Sequence, residues 1–391
     1  ADVETAIALL NQGADVNARD FSGDSALHLC SAEVSAEMAE VLLQSGAHVG
    51  ARNRRGETPL HVAAALGNTA DNFTICALLN RGADVNAANN SQHTPVHLLA
   101  LHGKDNAGLM EYMLRQGARV NARGRRGHTP LHFSANRGRT AVARALLQAG
   151  ADPMLRDENQ QSSLDCAVLY EREDIVREII AHPGVDVTAT GSLGFTPLHI
   201  ASTERLVRML LGAGASPHAR DANGVTPLHG AHSKSLGAVA ELVYAGAEVD
   251  ASNHAAYTPL HLLALRGKDD DAEIIKFMIR KGASVNALDN HGRSPIHLAV
   301  AEGRVAAVLA LAEAGADVSI RDNREASCLE VAVGLRLADT ARILIDHGAD
   351  VEATDGSGST AIFFAANKAT VDALVQAGAD VDARDDYGRT P

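Results

Sequence analysis

The chain has 391 residues and a formal net charge of −13 at pH 7. A general nucleic-acid-binding protein carries a basic surface, so this charge argues against that function. No apolar run approaches the length of about 18 residues that a membrane-spanning helix needs. The four cysteines lie far apart, without the CxxC spacing of zinc or redox sites. Structural disulfides are therefore not expected, and we expect the protein to lie in a reducing, cytoplasmic compartment.

In chain order, the first predicted element is a helix over residues 1–13, and a phrase then recurs about every 33 residues. The phrase combines Thr or Ser with Pro, an aliphatic residue and His. Its strong copies begin at Thr58, Thr94, Thr129, Thr196, Thr226, Thr258 and Ser294, and weaker copies begin at Ser25, Ser162, Ser327 and Thr360. A Gly-Ala-Asp-Val-Asn-Ala-like string follows about 20 residues later. This fixed period predicts stacked small repeats rather than two or three globular domains.

Residues 56–86 illustrate the predicted repeat. Thr58 is a good N-cap, Pro59 fits the first helical turn, and His61 can bond back to the cap. A short inner helix, a turn at Gly67 and an outer helix that stops at Gly82 then follow. Residues 83–90 would form an extended finger, half of a β-hairpin. Two irregular repeats replace the histidine with an acid and keep a capping-box pattern, at Asp165 and Glu330.

These openings and strings resemble the ankyrin repeat family, and the resemblance covers the whole chain. It implies an all-α solenoid of about 11 stacked helix-turn-helix units with short β-hairpin fingers. We expect one continuous array over residues 1–391, itself a fragment of a larger protein. A partial repeat and finger would occupy residues 1–24, stacked repeats residues 25–386, and the start of a truncated repeat residues 387–391.

Eight of the 18 histidines occupy the opening position: His28, His61, His97, His132, His199, His229, His261 and His297. Stacked helices lie about 8–10 Å apart, whereas zinc needs ligands about 2 Å away. Consecutive copies therefore cannot share a metal ion, and a helix-opening hydrogen bond is the simpler role. No spacing suggests a nucleophile with its base. We predict no catalytic residue, no metal and no cofactor, and a chain that is not an enzyme.

A second, longer period is superimposed on the repeat of about 33 residues. The strings at residues 97–105 and 261–269 differ at one position and lie 164 residues apart. The irregular repeat at Ser162 matches the one at Ser327, and the short repeats at Thr196 and Thr360 also match, both lacking the usual glycine turn. This correspondence indicates duplication of a block of five repeats. The resulting five-repeat super-period could present one surface in regular copies, or it could reflect duplication without a repeated ligand.

The resemblance implies that a protein partner binds the concave side, formed by finger tips and inner helices. Two basic tips lie two repeats apart, about 20 Å; their residues are Arg52, Arg54, Arg55, Arg123, Arg125 and Arg126. On an acidic chain these tips could steer an acidic partner segment, although ordinary solvated arginine is the alternative. The aromatic residues Phe21 and Tyr257 are candidate anchors, unless each packs only on its own finger.

The resemblance also implies that fingers can be substrates of asparaginyl hydroxylases, with a Leu eight residues before the target Asn. Leu9 with Asn17 and Leu78 with Asn86 fit this spacing. The alternative is that each Asn only shapes its finger.

The predicted function is a non-catalytic protein–protein interaction scaffold. The alternative hypothesis is a targeting or mechanical array of a larger enzyme, channel, toxin or ubiquitin-ligase subunit, whose active part lies outside these residues.

Overall fold

The computed structural model of the chain describes residues 3–33, 36–67 and 73–391. The chain divides into two compact units, Ala1–Ser192 and Leu193–Pro391. Each unit is a series of helix pairs, an inner helix followed by an outer helix. Eleven pairs lie in the described residues, as the repeat openings predict, and we number them repeats 1 to 11 in chain order.

The first unit begins with a helix over Val3–Asn11 and continues with repeats 1 to 5. Their inner and outer helices are Ala26–Glu33 with Ala36–Gln44, Pro59–Leu66 with Phe73–Asn80, Pro95–Leu101 with Ala107–Arg115, Pro130–Arg137 with Thr140–Gln148, and Ser163–Leu169 with Glu173–Ile180.

The second unit contains repeats 6 to 11. Their helices are Pro197–Ile200 with Glu204–Gly212, Pro227–Ser233 with Leu236–Tyr244, Pro259–Arg266 with Ala272–Arg280, Pro295–Ala301 with Val305–Glu313, Cys328–Gly334 with Ala338–Asp346, and Ala361–Phe364 with Lys368–Gln376. The inner helices of repeats 7 and 11 are 3₁₀ helices, as are the short turns Arg125–Gly127, Ser192–Gly194 and Asp269–Asp271.

The inner helices start where the sequence predicts, and for the predicted reason. In repeat 4, Nδ1 of His132 accepts the Thr129 N–H at 3.2 Å, while Thr129 Oγ1 accepts the His132 N–H at 3.4 Å. Pro130 occupies the first helical position, where its missing N–H costs nothing. The acidic replacements cap their helices in the same way, at Asp165 in repeat 5 and Glu330 in repeat 10. The histidines are thus helix-capping groups.

The glycine turns also lie where predicted. Gly67 ends the inner helix of repeat 2 with φ +48°, and Gly82 follows its outer helix with φ +83°, a left-handed backbone that favours glycine. Repeats 6 and 11 lack the inner-helix glycine, and their inner helices are only four residues long. These two short helices occupy equivalent places in the five-repeat block. A repeated ligand surface stays a prediction.

The core of each unit lies between neighbouring repeats. Within each unit, inner helices contact the next inner helix, and most outer helices contact the next outer helix. The second residue of the inner helices is buried throughout, at Leu27, Leu60, Val96, Leu131 and Leu164 in the first unit and at Leu198, Leu228, Leu260, Ile296, Leu329 and Ile362 in the second. One helix pair cannot enclose such side chains alone, so neighbours supply the burial.

The fingers are tight turns rather than regular strands. Among the described residues, isolated β-bridges join Arg19 to Ser25 and Arg321 to Ser327. A buried Asp or Asn shapes the tip instead. In the finger before repeat 2, Asn53 Oδ1 accepts the N–H groups of Arg55 and Glu57, both at 2.9 Å. The finger tips are therefore held by local side-chain bonds.

Candidate functional site

Main-chain hydrogen bonds join the tips of successive fingers, and we call this series the tip ladder. In the first unit, the Arg54 N–H donates to the Ser22 carbonyl oxygen, and the Asn90 N–H donates to that of Arg55. The Arg125 N–H donates to the Ser91 carbonyl oxygen, and the Glu158 N–H donates to that of Arg126. All four N···O distances are 2.9–3.0 Å. These bonds use only backbone atoms. They therefore fix the tips whatever side chains the tips carry, and they hold the arginine-bearing residues in place.

Arg52 is not a free basic group, although it belongs to the predicted basic tip. Its guanidinium donates to the carbonyl oxygens of Gly56 at 3.1 Å and Ala88 at 2.6 Å, which links two fingers. Arg220 makes the same pair of bonds in the second unit, to Gly224 and Ser252. Arginine at this finger position therefore braces neighbouring fingers.

The other tip arginines differ in how far they are free. Arg55 forms an ion pair with Glu57 at 3.1 Å. Arg54, Arg125 and Arg126 are exposed, and their guanidinium groups have no hydrogen bond or ion pair in the described part of the chain. Three cationic groups are thus available to a partner.

The sixth predicted tip residue, Arg123, is also exposed. It lies close enough to His132 to affect that ring. Burial lowers the pKa of His132, and the charge of Arg123 lowers it further. Arg123 therefore adds positive charge at the base of the finger before repeat 4.

Between the basic tips lies a cluster of rings, which we call the ring floor: His93, His97, His128 and Phe133. The Phe133 ring centroid lies 5.1 Å from His93, 5.9 Å from His97 and 5.3 Å from His128. Burial lowers the pKa of His93, and it lowers the pKa of His97 to about 4. Both rings are therefore neutral at pH 7. The arrangement is an aromatic surface, with two neutral histidine rings, beside a cationic rim.

The opening histidines also join consecutive repeats. Nε2 of His61 donates to the His93 carbonyl oxygen at 3.0 Å, and Nε2 of His132 donates to that of Gln161 at 3.0 Å. Both ring nitrogens are thus occupied by protein hydrogen bonds, so neither has a lone pair available for metal. Within the described ranges, no group of three or more potential metal ligands occurs.

The two predicted aromatic anchors have different surroundings. Phe21, at the first finger, is 93% exposed. Tyr257 is half-buried, and its hydroxyl accepts a hydrogen bond from the Arg293 guanidinium at 2.7 Å. Tyr257 thus contacts the next finger through Arg293, whereas Phe21 offers an open ring.

Asn17 and Asn86, the predicted hydroxylation positions, have equivalent contacts. Asn86 Oδ1 accepts the Arg119 N–H at 2.8 Å, and its Nδ2 donates to the Gly117 carbonyl oxygen at 2.9 Å. Asn17 makes the same two bonds, to His48 and Gly46. Each amide therefore holds the turn after the next outer helix, and modification stays a prediction.

The second unit contains a groove of about 590 Å³ on the finger and inner-helix face of repeats 6 to 8. Its walls include Phe195, Tyr257 and Leu262, with Gly230 in the inner helix between them. Asp221 and Arg266 are its charged residues. We call this the repeat 6–8 groove.

Sequence reasoning missed the ring floor and the groove. His93 and His128 each lie directly before a repeat opening, and Phe133 lies four residues after one. Gly230 occupies that same later position. Comparing all repeats at these two positions would have singled out both features, because most repeats place a large apolar residue where Gly230 lies.

Cysteine chemistry is not prominent. Cys30, Cys166 and Cys328 are buried, and burial raises the pKa of both Cys166 and Cys328 to about 12. Such thiols stay protonated and are poor nucleophiles at neutral pH. In residues 3–33, 36–67 and 73–391, no helix has the length and apolar character needed to cross a membrane.

Several curated proteins are similar to parts of the chain. A protein named as a palmitoyltransferase, ZDHHC13 of Danio rerio, is 35% identical over 182 residues, which are 45% of this chain and 28% of that protein. The human transient receptor potential cation channel subfamily A member 1 is 28% identical over 156 residues, 37% of this chain and 14% of the channel. Human NF-kappa-B inhibitor alpha is 31% identical over 153 residues, 35% of this chain and 47% of the inhibitor. The chain thus spans less than half the length of each.

Family models match most of the sequence. The model described as ankyrin repeats in three copies matches residues 1–89, 68–157, 96–191, 164–253 and 231–322, and the single ankyrin repeat model matches residues 357–386. These matches agree with the capped helix pairs, the glycine turns and the finger tips. The chain belongs to the ankyrin repeat family.

Proposed function

We propose that this chain is a non-catalytic, cytoplasmic protein-binding array, and that the finger and inner-helix face of repeats 2 to 4 binds an acidic segment of a protein partner. The observation that carries the proposal is the ring floor beside three unpaired arginines, Arg54, Arg125 and Arg126.

The charge of these arginines favours a partner with carboxylates. The chain as a whole has a net charge of −13, so a local cationic rim contrasts with its surroundings. Such a contrast raises the association rate with an oppositely charged segment and orients it. The tip ladder holds the rim in place before binding, which lowers the entropic cost of association.

The ring floor favours an apolar or aromatic side chain beside the acidic groups. Phe133 is half-buried and touches two histidine rings that are neutral at pH 7. A buried aromatic contact surrounded by charged rim residues is the usual composition of a binding hot spot. The proposed partner segment therefore combines acidic residues with at least one large apolar residue.

The test is selection of random peptides displayed on phage against the immobilised chain, followed by affinity measurements on synthetic peptides. We expect selected peptides to be rich in Asp and Glu and to bind less tightly at high salt. The double variant Arg125→Glu and Arg126→Glu should weaken them at least about 100-fold, since each charge reversal costs more than about 1.4 kcal/mol.

Arg324→Glu is the matched control, because Arg324 is an exposed arginine at an equivalent tip position before repeat 10. It changes the net charge by the same amount per residue and leaves the proposed face intact. Equal loss of affinity in Arg324→Glu would show a general charge effect, and unchanged affinity in the double variant would reject the site.

A second candidate function is the targeting part of a larger enzyme or channel. Two relatives carry the names of a palmitoyltransferase and a cation channel, and the similar segments are 28% and 14% of their lengths. The test begins with the full reading frame around this sequence. Partner binding and catalytic or conducting activity are then measured in the whole protein and in a variant from which the array is deleted.

A further inference from the structure

The repeat 6–8 groove arises from a missing side chain. Gly230 lies four residues after the opening of repeat 7, a position with a large apolar side chain in repeats 2, 3, 4, 6, 8 and 9, namely Val62, Leu98, Phe133, Ile200, Leu262 and Leu298. A methyl group built on Gly230 would lie 3.4 Å from the Lys234 side chain, an ordinary contact. Backbone geometry therefore does not require glycine here, and its absent side chain leaves the groove open.

The aromatic walls of this groove, Phe195 and Tyr257, are fixed by contacts within the protein. Phe195 packs edge-on against the His199 ring, with centroids 5.4 Å apart. The Tyr257 carbonyl accepts a bond from Nε2 of His229 at 3.0 Å, and the Tyr257 hydroxyl accepts one from Arg293. Leu193 lies at the edge, 65% exposed. A large apolar side chain can enter this space without rearranging its walls.

A carboxylate with one unpaired oxygen lines the same groove. Asp221 is only 7% exposed. Its Oδ1 accepts the N–H groups of Asn223 at 2.8 Å and Val225 at 2.7 Å, as the finger requires. Its Oδ2 is buried and has no hydrogen-bond partner among the described residues. A buried, incompletely paired carboxylate is costly, so this oxygen calls for a donor.

In some other fingers a basic side chain lies beside that oxygen. In two other fingers the aspartate at this position pairs through Oδ2 with an arginine, Asp289 with Arg293 at 2.9 Å and Asp385 with Arg389 at 2.6 Å, and in a third Asp157 Oδ2 lies 3.1 Å from the His128 ring. At the corresponding positions around Asp221 lie Phe195 and Val225, which are apolar. The finger before repeat 7 therefore lacks the basic neighbour that these three fingers have.

We propose that the repeat 6–8 groove is a second binding surface, which takes a protein segment carrying one arginine or lysine beside a large apolar side chain. The apolar side chain fills the space above Gly230, and the cation pairs with Asp221. Arg266, exposed at the groove edge, repels a further cation, so the segment is not a basic run. This surface is separate from the face of repeats 2 to 4 and has the opposite charge preference.

The test uses the full chain and random peptides displayed on phage. Selected peptides that contain arginine are synthesised with arginine and with citrulline, its neutral isostere, and their affinities are measured by fluorescence polarisation. We expect citrulline to weaken binding about tenfold or more, because a hydrogen bond to a charged group is lost. With Asp221→Asn this difference between the two peptides should vanish.

The variant is expected to fold, since asparagine occupies the same finger position at Asn53, Asn89 and Asn253. Asp355→Asn, the same change in the finger before repeat 11, is the matched control and should leave both affinities unchanged. Gly230→Leu should abolish binding by filling the groove.

Two results would overturn the proposal. One is selection that yields no enrichment of basic residues beside apolar ones. The other is an arginine–citrulline difference that persists in Asp221→Asn. Neither depends on the acidic peptides or on Arg125 and Arg126, so the two binding sites succeed or fail separately.

Discussion

The face of repeats 2 to 4 and the repeat 6–8 groove use the same finger positions with opposite chemistry. In the first, Phe133 fills the position four residues after the opening, and unpaired arginines surround it. In the second, Gly230 leaves that position empty, and the charged group with an unpaired atom is the carboxylate of Asp221. Both have the same capped helices and the same tip ladder.

The difference shows that the repeat separates folding from recognition. Caps, glycine turns and buried leucines are constant because every repeat needs them to pack. The residue before the opening, the residue four positions after it and the tip residues vary between repeats, and the second of these positions ranges from Phe133 to Gly230. Substitutions at the exposed tip residues change the charge and shape of the surface at little cost to stability.

The largest expected effect concerns Lys234, which has no counterpart in the first face. Its amine is buried and donates to the carbonyl oxygens of His199 and Ala201, and burial lowers its pKa from 10.5 to about 7. Between pH 7 and 10.5 the unfolded chain therefore binds the Lys234 proton more tightly than the folded chain does. The free energy of unfolding should rise by about 1.4 kcal/mol per pH unit from pH 7 to 10.5, roughly 5 kcal/mol in total.

Urea unfolding at several pH values in this range, with the wild type and Lys234→Met, measures that effect. The variant should lack the rise, because methionine has no titratable amine. Parallel pH profiles for the two proteins would contradict a buried, neutralised lysine.

The second effect concerns acid and the ring floor. Burial, followed by the neighbouring His93, lowers the pKa of His97 from 6.5 to about 4. Because the pKa of His97 is lower in the folded chain than in the unfolded chain, the neutral ring adds to the free energy of unfolding above pH 6.5. This contribution is lost as the pH falls from 6.5 to 4. The loss is about 3 kcal/mol. Proton NMR titration of the His97 ring measures its pKa, and urea unfolding of the wild type and His97→Gln measures the loss of stability. A ring that titrates near 6.5 would contradict both values.

The third effect concerns the position four residues after the repeat opening, which Phe133 fills and Gly230 leaves empty. Phe133→Ala should destabilise the chain by about 2 kcal/mol, since it removes a half-buried ring that touches three histidines. Gly230→Leu should be neutral or slightly stabilising, because it adds apolar burial to an open groove. Thermal and urea unfolding of both variants give the comparison. A loss of stability in Gly230→Leu would show that the groove is closed in solution.

The smallest effect isolates the unpaired carboxylate. Asp289→Asn should cost about 1 kcal/mol, because it breaks the ion pair with Arg293. Asp221→Asn should change stability by less than about 0.5 kcal/mol, because Oδ2 has no partner to lose. Equal losses in urea unfolding would mean that Asp221 is paired in solution.

Local sequence rules predicted the fold well. A cap, a proline, a polar third residue and a terminal glycine act within one or two helical turns, so each repeat could be delimited from its own letters. The acidic replacements Asp165 and Glu330 were predictable for the same reason, since their carboxylates accept the cap N–H as the histidines do.

The candidate sites were harder to predict because they depend on contacts between repeats. Arg52 and Arg54 lie two residues apart in one basic tip, yet the first braces the next finger while the second is free. Spacing alone does not tell which guanidinium reaches a carbonyl 36 residues away. The ring floor and the unpaired oxygen of Asp221 likewise require side chains from consecutive fingers.

The tip ladder has an evolutionary consequence. Because its bonds run through backbone atoms, a tip can exchange its side chains as a small cassette while its position in space is conserved. New specificities can therefore be acquired one finger at a time. Grafting the Arg125–Arg126 pair onto another tip would be a direct route to an engineered binder with two copies of one recognition element.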